Sequence, residues 1–158
     1  MKYTTSRPAF SMIMAIFLIV IMATVAAFVM NLSGKIVSST VTQYQHEQAE
    51  LYAKSYTEYA VLAVTGNDKS INCLQDITGT IGTPATGDGY NIRTHIAYIT
   101  NGTLVDTSKC DAIRVLSTGV TDSTTPLSIL VDVYVDYKSP DNTTGPYLTV
   151  HRRSIQKI

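Results

Sequence analysis

The stretch that decides the fold is SRPAFSMIMAIFLIVIMATVAAFVM, residues 6–30 of a chain of 158 residues. Between Phe10 and Met30 the only polar side chains are Ser11 and Thr24, and a hydroxyl can return its hydrogen bond to the helix backbone. These residues, at about 1.5 Å each, make a helix of roughly 31 Å, which matches the hydrocarbon thickness of a bilayer. We therefore expect a hydrophobic transmembrane helix over residues 10–30.

A removable export signal is the alternative for this segment. Its cut would follow the small residues Val-Ala-Ala at 25–27, just before Phe28. The apolar part of such signals is about 7–15 residues long, so the length of this segment favours a permanent helix.

The basic residues indicate the orientation of the helix. Lys2 and Arg7 precede it and Lys35 follows it, while the first acidic residue is Glu47. The positive counts on the two sides are close, but the short leader favours an N-terminus that stays in the cytoplasm. The C-terminal part of the chain is then exported.

The helix is predicted to continue past the membrane segment as an amphipathic helix over residues 31–65. Apolar side chains recur at helical spacing, with two polar interruptions, at Val37, Val41, Tyr44, Leu51, Tyr59 and Leu62. Tyr52, Tyr56 and Tyr59 also lie close together on a helix, and we interpret their face as one on which a sheet packs rather than as a ligand site. Gly66 ends the helix, which would have about 53 residues and a length near 80 Å.

Residues 66–158 predict one small β-sheet head domain. Residues 66–89 contain five glycines and Pro84 and are predicted to be loop. Four strands are predicted after them, over residues 90–100, 112–117, 127–138 and 147–155. In the third strand, apolar residues from Ile129 to Tyr137 alternate with Leu130, Asp132, Tyr134 and Asp136, as in a sheet with one face on a helix.

The predicted fold class is α+β, with a long N-terminal helix packed on a small antiparallel β-sheet. Asn101 and Gly102 predict a tight hairpin turn, and residues 139–146 predict a connecting loop.

Two cysteines, Cys73 and Cys110, are present, and neither belongs to a CxxC pair. If the domain is exported, one disulfide is their simplest use. Closing a loop of about 38 residues would stabilise the fold by roughly 4 kcal/mol in the chain-entropy treatment. Two buried free cysteines are the alternative.

The N-terminal residues resemble those of type IV pilins and of the pseudopilins of type II secretion systems. The match consists of a short basic leader, Met1–Ala9, followed by Phe-Ser-Met-Ile at 10–13 opening an apolar helix, and is specific only over residues 7–30. The resemblance implies that a prepilin peptidase cuts between Ala9, where glycine is usual, and Phe10, and methylates the new N-terminus. It also implies storage in the inner membrane, a periplasmic head, and assembly by a pilus or secretion platform with other pilin subunits through helix residues that include Phe10, Met14, Ile16, Phe17, Ile19 and Val20.

Met14 departs from the family pattern, because the family usually has Glu at the fifth position after the cut. That carboxylate is implied to pair with the N-terminal amine of a neighbouring subunit. An ionisable group in the membrane costs roughly 2.5–3.5 kcal/mol, and a subunit with none above it does not need one. The resemblance therefore indicates a minor or tip subunit; a divergent filament subunit and a protein outside the family are the alternatives.

The head carries no motif that predicts an enzyme. His46, His95 and His151 lack metal-ligand spacing, Asp141 and Asn142 lack the alternating pattern of a calcium loop, and no GxSxG or SxxK occurs. We expect no catalytic residue, no metal, no cofactor and no nucleic-acid partner. The second hypothesis is a single-pass anchored periplasmic protein that binds a ligand or a partner.

Overall fold

The structure is a computed structural model that describes residues 10–68, 71–100, 105–106, 108–117 and 127–158; the side chains of residues 10 and 11 are outside this description. The chain divides into two compact units, Met1–Val41 and Thr42–Ile158. The leader and the predicted turn at Asn101 and Gly102 lie outside the described residues.

One helix, α1, runs from Phe10 to Gly66 and contains 57 residues. The predicted continuation of the helix past residue 30 and its end at Gly66 are confirmed. Alanine, the strongest helix former, is the most frequent residue of this segment.

The head contains a sheet of five strands: β1 (Asp76–Thr83), β2 (Asp88–Thr100), β3 (Val115–Ser117), β4 (Leu127–Tyr137) and β5 (Leu148–Lys157). The strand order is β1-β2-β4-β5, all antiparallel, and the short β3 pairs in parallel with β2 where Tyr98 faces Val115. The predicted α+β class is confirmed, as is the connecting loop between β4 and β5.

The prediction of loop over residues 66–89 is wrong from residue 76 onward, because β1 occupies Asp76–Thr83 and pairs with β2 along its whole length. A 3-10 turn, Pro84–Thr86, and Gly87 at φ +81° connect the two strands. Gly79, Gly82, Gly87 and Gly89 therefore belong to a hairpin. The predicted strand at 112–117 is also partly wrong, since Ala112–Arg114 form a 3-10 turn and only Val115–Ser117 pair with β2.

The core of the head lies between one face of α1 and the inner face of the sheet. The helix contributes mainly small side chains, which let its backbone approach the sheet: Ala49, Ala53, Ala60 and Val64 are all at most 1% exposed. The strongest contribution from the sheet is β4, whose inner residues are buried at alternate positions, as the sequence predicts: Leu127, Ile129, Val131, Val133, Val135 and Tyr137. Burial of these apolar side chains is the main stabilising contribution to the head.

Candidate functional site

The N-terminal half of α1 presents apolar side chains to its surroundings on all sides. Its most apolar window of 18 residues has a mean hydropathy of 2.9, and none of that window is buried. The helix is long and apolar enough to span a bilayer. A surface of this kind needs lipid or other apolar helices around it, because water does not solvate it favourably.

The residues that the resemblance assigns to assembly are part of this surface. Five of them are between 53% and 68% exposed: Met14, Ile16, Phe17, Ile19 and Val20. The helix begins at Phe10, whose side chain lies outside the described residues, as does the whole of Ala9. The predicted processing site is therefore not described.

Polar side chains in the N-terminal half bond to the backbone of their own helix. Thr24 Oγ1 donates to Ile21 O at 2.8 Å, and Ser33 Oγ donates to Val29 O at 2.9 Å. The prediction for Thr24 is confirmed, and that for Ser11 falls on a side chain outside the description. These hydroxyls are compatible with an apolar environment because their protons have acceptors within the helix.

The helix segment in the head has an inner and an outer face. Tyr52 and Tyr56 pack against the core, and the rings of Tyr52 and Tyr90 are 5.0 Å apart. Tyr59, predicted on the same packing face, is 53% exposed, so that part of the prediction is wrong. The apolar residues Tyr44, Leu51 and Leu62 are also more than half exposed, and we call the set Tyr44, Leu51, Tyr59 and Leu62 the outer helix face.

The two cysteines form a disulfide, as predicted, with their Cα atoms 5.3 Å apart. Cys73 lies between α1 and β1, and Cys110 lies shortly before β3. Nearby, the hydroxyl of the buried Tyr98 donates a hydrogen bond to Leu74 O at 2.7 Å. Burial raises the pKa of Tyr98 to about 12, so its hydroxyl stays protonated and keeps donating at physiological pH.

The outer face of the sheet carries a polar and aromatic cluster centred on Tyr134 of β4. The ring of His151 stacks on Tyr134 with centroids 4.4 Å apart, and the ring of His95 lies edge-on at 5.7 Å. The guanidinium of Arg93 lies 5.8 Å from the same ring. We call Tyr134, these three neighbours and their ion-pair partners on the same face the outer sheet cluster; the partners are Asp76, Asp132, Asp136, Arg114 and Arg153.

Asp132 is a carboxylate of the outer sheet cluster that contacts both Arg153 and His151. Arg153 donates from Nε to Asp132 Oδ1 at 2.7 Å and from a terminal nitrogen to Oδ2 at 3.0 Å, while His151 Nε2 lies 2.9 Å from Oδ1. The Arg153 hydrogen bonds lower the pKa of Asp132, with a smaller effect from His151, and partial burial opposes them. Asp132 is thus held as a paired carboxylate.

The two other carboxylates of this face are paired in the same way. Arg93 donates to Asp136 Oδ2 at 2.7 Å, and Thr149 donates to Asp136 Oδ1 at 2.6 Å. Arg114 donates to Asp76 Oδ1 at 2.9 Å. The side chains of Asp132 and Asp136 are only 14% and 15% exposed and carry ion pairs, so they are structural carboxylates rather than freely solvated ones.

The residues of the outer sheet cluster were missed in the sequence, although a signal for them exists. Charged or imidazole side chains alternate on β2 (Arg93, His95) and on β5 (His151, Arg153), as they must to share one face of a sheet. Only the register of β2, β4 and β5 shows that these residues are neighbours in the sheet.

Metal sites in proteins require defined sets of ligand side chains. Within the described part of the chain, no three His, Cys, Asp or Glu side chains come close enough to hold a metal ion. In the loop considered for calcium, Lys138 Nζ donates to Thr143 O at 2.7 Å, and Asn142 Oδ1 accepts from Thr144 at 3.1 Å. Two oxygens of that loop are therefore already engaged.

Comparison of the chain with protein-family models, with curated proteins and with solved structures found no match.

Proposed function

We propose that the chain is a structural subunit of a type IV pilus or of a type II secretion pseudopilus, and that it assembles through its N-terminal helix. The observation that carries this proposal is the exposed apolar surface of α1 from Met12 onward, in a helix that continues into the head. A filament uses both properties, because the same helix resides in lipid before assembly and contacts other helices after it.

Assembly is the mechanism of such a subunit. The apolar helix leaves lipid and packs against the same helices of other subunits, so one apolar environment replaces another. The exchange is nearly balanced in free energy, since lipid tails are as apolar as the side chains that replace them. Work from a separate motor then determines when a subunit is extracted.

Processing and export complete the proposal. A prepilin peptidase on the cytoplasmic side of the inner membrane cuts between Ala9 and Phe10, and the head lies in the periplasm. The disulfide between Cys73 and Cys110 supports an oxidising compartment for the head. The partners are other pilin or pseudopilin subunits and the assembly platform.

Met14 supports a minor or tip position in the filament. Its side chain is 53% exposed on the helix surface, where the family usually carries a glutamate. A subunit with none above it has no neighbouring amine for that carboxylate, so an apolar side chain avoids the cost of an unpaired charge.

A single-pass anchored periplasmic binding protein is the second candidate. It is favoured by a groove with unpaired cations between α1 and β5, described below. The two candidates differ at the N-terminus, because only a pilin requires the cut before Phe10.

The proposal is tested by deleting the gene in the native host and restoring it as variants. Deletion should abolish piliation or type II secretion, and the wild-type chain should restore it. Ala9→Leu should fail to restore it because the bulky side chain blocks the cut, whereas the matched leader variant Thr5→Leu should succeed. Intact piliation and secretion after deletion would contradict the proposal.

Met14→Glu tests the tip position in the same strain. We expect less function than wild type, because the new carboxylate has no partner. Improved assembly would instead assign the chain to the filament shaft.

A further inference from the structure

A groove lies between α1 and the edge strand β5 of the head. It has a volume of about 130 Å³ and is lined by Glu50, Ala53, Lys54, Val150, His151 and Arg152. Ala53 is 1% exposed and Val150 is half-buried, so these two residues form an apolar floor. Glu50, Lys54 and Arg152 place charged groups around that floor, whereas the ring of His151 stacks on Tyr134 in the outer sheet cluster.

The cations of the groove differ from those of the outer sheet cluster. Arg93, Arg114 and Arg153 each have an aspartate partner. Lys54 and Arg152, by contrast, have no hydrogen-bond or ion-pair partner among the described residues.

Glu50 is the one carboxylate of the groove, and its Oε1 lies 3.5 Å from His46 Nε2 on the preceding helical turn. The two unpaired cations, Lys54 and Arg152, outweigh this single carboxylate. The groove therefore favours an anionic group.

The backbone of β5 is also available along this side of the head. In the described part of the chain, β5 pairs with β4 along one edge only, and it is the terminal strand of the sheet. A free edge presents backbone N–H and C=O groups to which another extended chain can pair. Ten residues, Leu148–Lys157, form this edge.

We propose that the β5 edge and the groove bind an extended acidic segment of another polypeptide chain. The segment pairs its backbone with β5 and directs a carboxylate between Lys54 and Arg152, while an apolar side chain covers Val150. Charge complementarity selects the acidic partner, and strand pairing selects its extended conformation. This inference does not depend on the proposed role in a filament.

An anionic membrane surface is a different partner that basic residues can recognise. It fits less well, because the neighbouring arginines on the sheet are neutralised by aspartates and two free cations make only a small basic patch. A bilayer also offers no backbone groups to pair with β5.

The test measures binding of a short peptide of alternating valine and glutamate to the full chain in neutral detergent micelles, with amide hydrogen exchange of β5 followed by NMR. We expect binding that slows exchange of β5 amides. A peptide of alternating valine and lysine should not bind. Arg152→Glu and Lys54→Glu should each weaken binding about tenfold, the change expected for one lost charge-assisted hydrogen bond.

Lys35→Glu is the matched control, since it makes the same charge change at an exposed residue of α1 outside both the groove and β5, and it should leave binding within about twofold. Equal binding of the two peptides, no protection of β5, or equal effects of Arg152→Glu and Lys35→Glu would overturn the proposal. Binding to vesicles of anionic lipid that is lost in Arg152→Glu, without any peptide binding, would overturn it in favour of a membrane contact.

Discussion

Gly79 of β1 lies against the phenol of Tyr56 on α1, so that a Cβ atom at Gly79 would overlap the Tyr56 hydroxyl and ring. The missing side chain of Gly79 leaves the space that the Tyr56 ring occupies, and this contact determines how closely β1 approaches the helix. This contact explains why a strand of the sheet contains a residue that normally weakens strands.

Gly79→Ala should lower the free energy of unfolding by about 1–3 kcal/mol, the usual cost of overpacking. In a Tyr56→Ala background the added methyl has space, and the same change should be neutral or slightly stabilising. Chemical denaturation of the four proteins in detergent measures the coupling. Equal costs of Gly79→Ala in the two backgrounds would contradict the contact.

The alanines of α1 should not tolerate larger side chains where they face the sheet. Ala53 is 1% exposed, so Ala53→Leu should destabilise the head by about 1–3 kcal/mol. Ser55→Leu is the matched control, because Ser55 is exposed two residues away. Thermal unfolding followed by near-ultraviolet circular dichroism distinguishes them, and similar melting temperatures would argue against the assigned inner face.

Stability should fall in acid through Asp132. The Arg153 hydrogen bonds lower the pKa of Asp132 below its ordinary value of 3.8. A lowered pKa in the folded state stabilises the protein above pH 3.8, and that contribution disappears as the pH falls through the folded-state pKa. Asp132→Asn and Arg153→Gln should each flatten this part of the stability profile. Denaturation midpoints below pH 4 that follow the wild-type curve in both variants would exclude this role.

The disulfide should contribute strongly to the stability of the head. Replacing Cys73 and Cys110 together by serine should cost about 2–5 kcal/mol, as for disulfides in small exported domains. Reduction of the wild-type protein should give a similar loss, which checks that the serines themselves do little harm. Unchanged unfolding after both treatments would show that the bridge is dispensable.

The sequence predicted the elements whose pattern is local. The apolar run of residues 10–30 predicts a membrane-spanning helix by its length. The alternation of apolar and polar residues in β4 predicts a strand with one buried face. β1 was not predicted because its glycines are explained by contacts and backbone angles that the sequence does not show. Gly79 leaves space for the distant Tyr56, and Gly82, at φ +65°, lies near the hairpin end. Glycine composition alone indicates a loop, whatever the cause of the glycines.

The polar contacts of the head could not be predicted in the same way. Arg93 and Asp136 are 43 residues apart in the chain and meet only because β2 pairs with β4 in one register. The outer helix face has a related cause, since apolar spacing predicts a stripe but does not say which of two stripes the sheet covers. The sheet packs on the side of α1 that carries the alanines, because small side chains let the helix backbone come closer to the sheet.

The most direct test of the central claim is the intact mass of the protein from inner membranes of its native host, with fragmentation of its N-terminal peptide. Prepilin processing predicts a chain that begins at Phe10 and carries one added methyl group. A chain that begins at Met1 would contradict prepilin processing and leave an uncut anchor. A chain that begins at Phe28 would contradict it as well, because the apolar helix would then be a removed export signal.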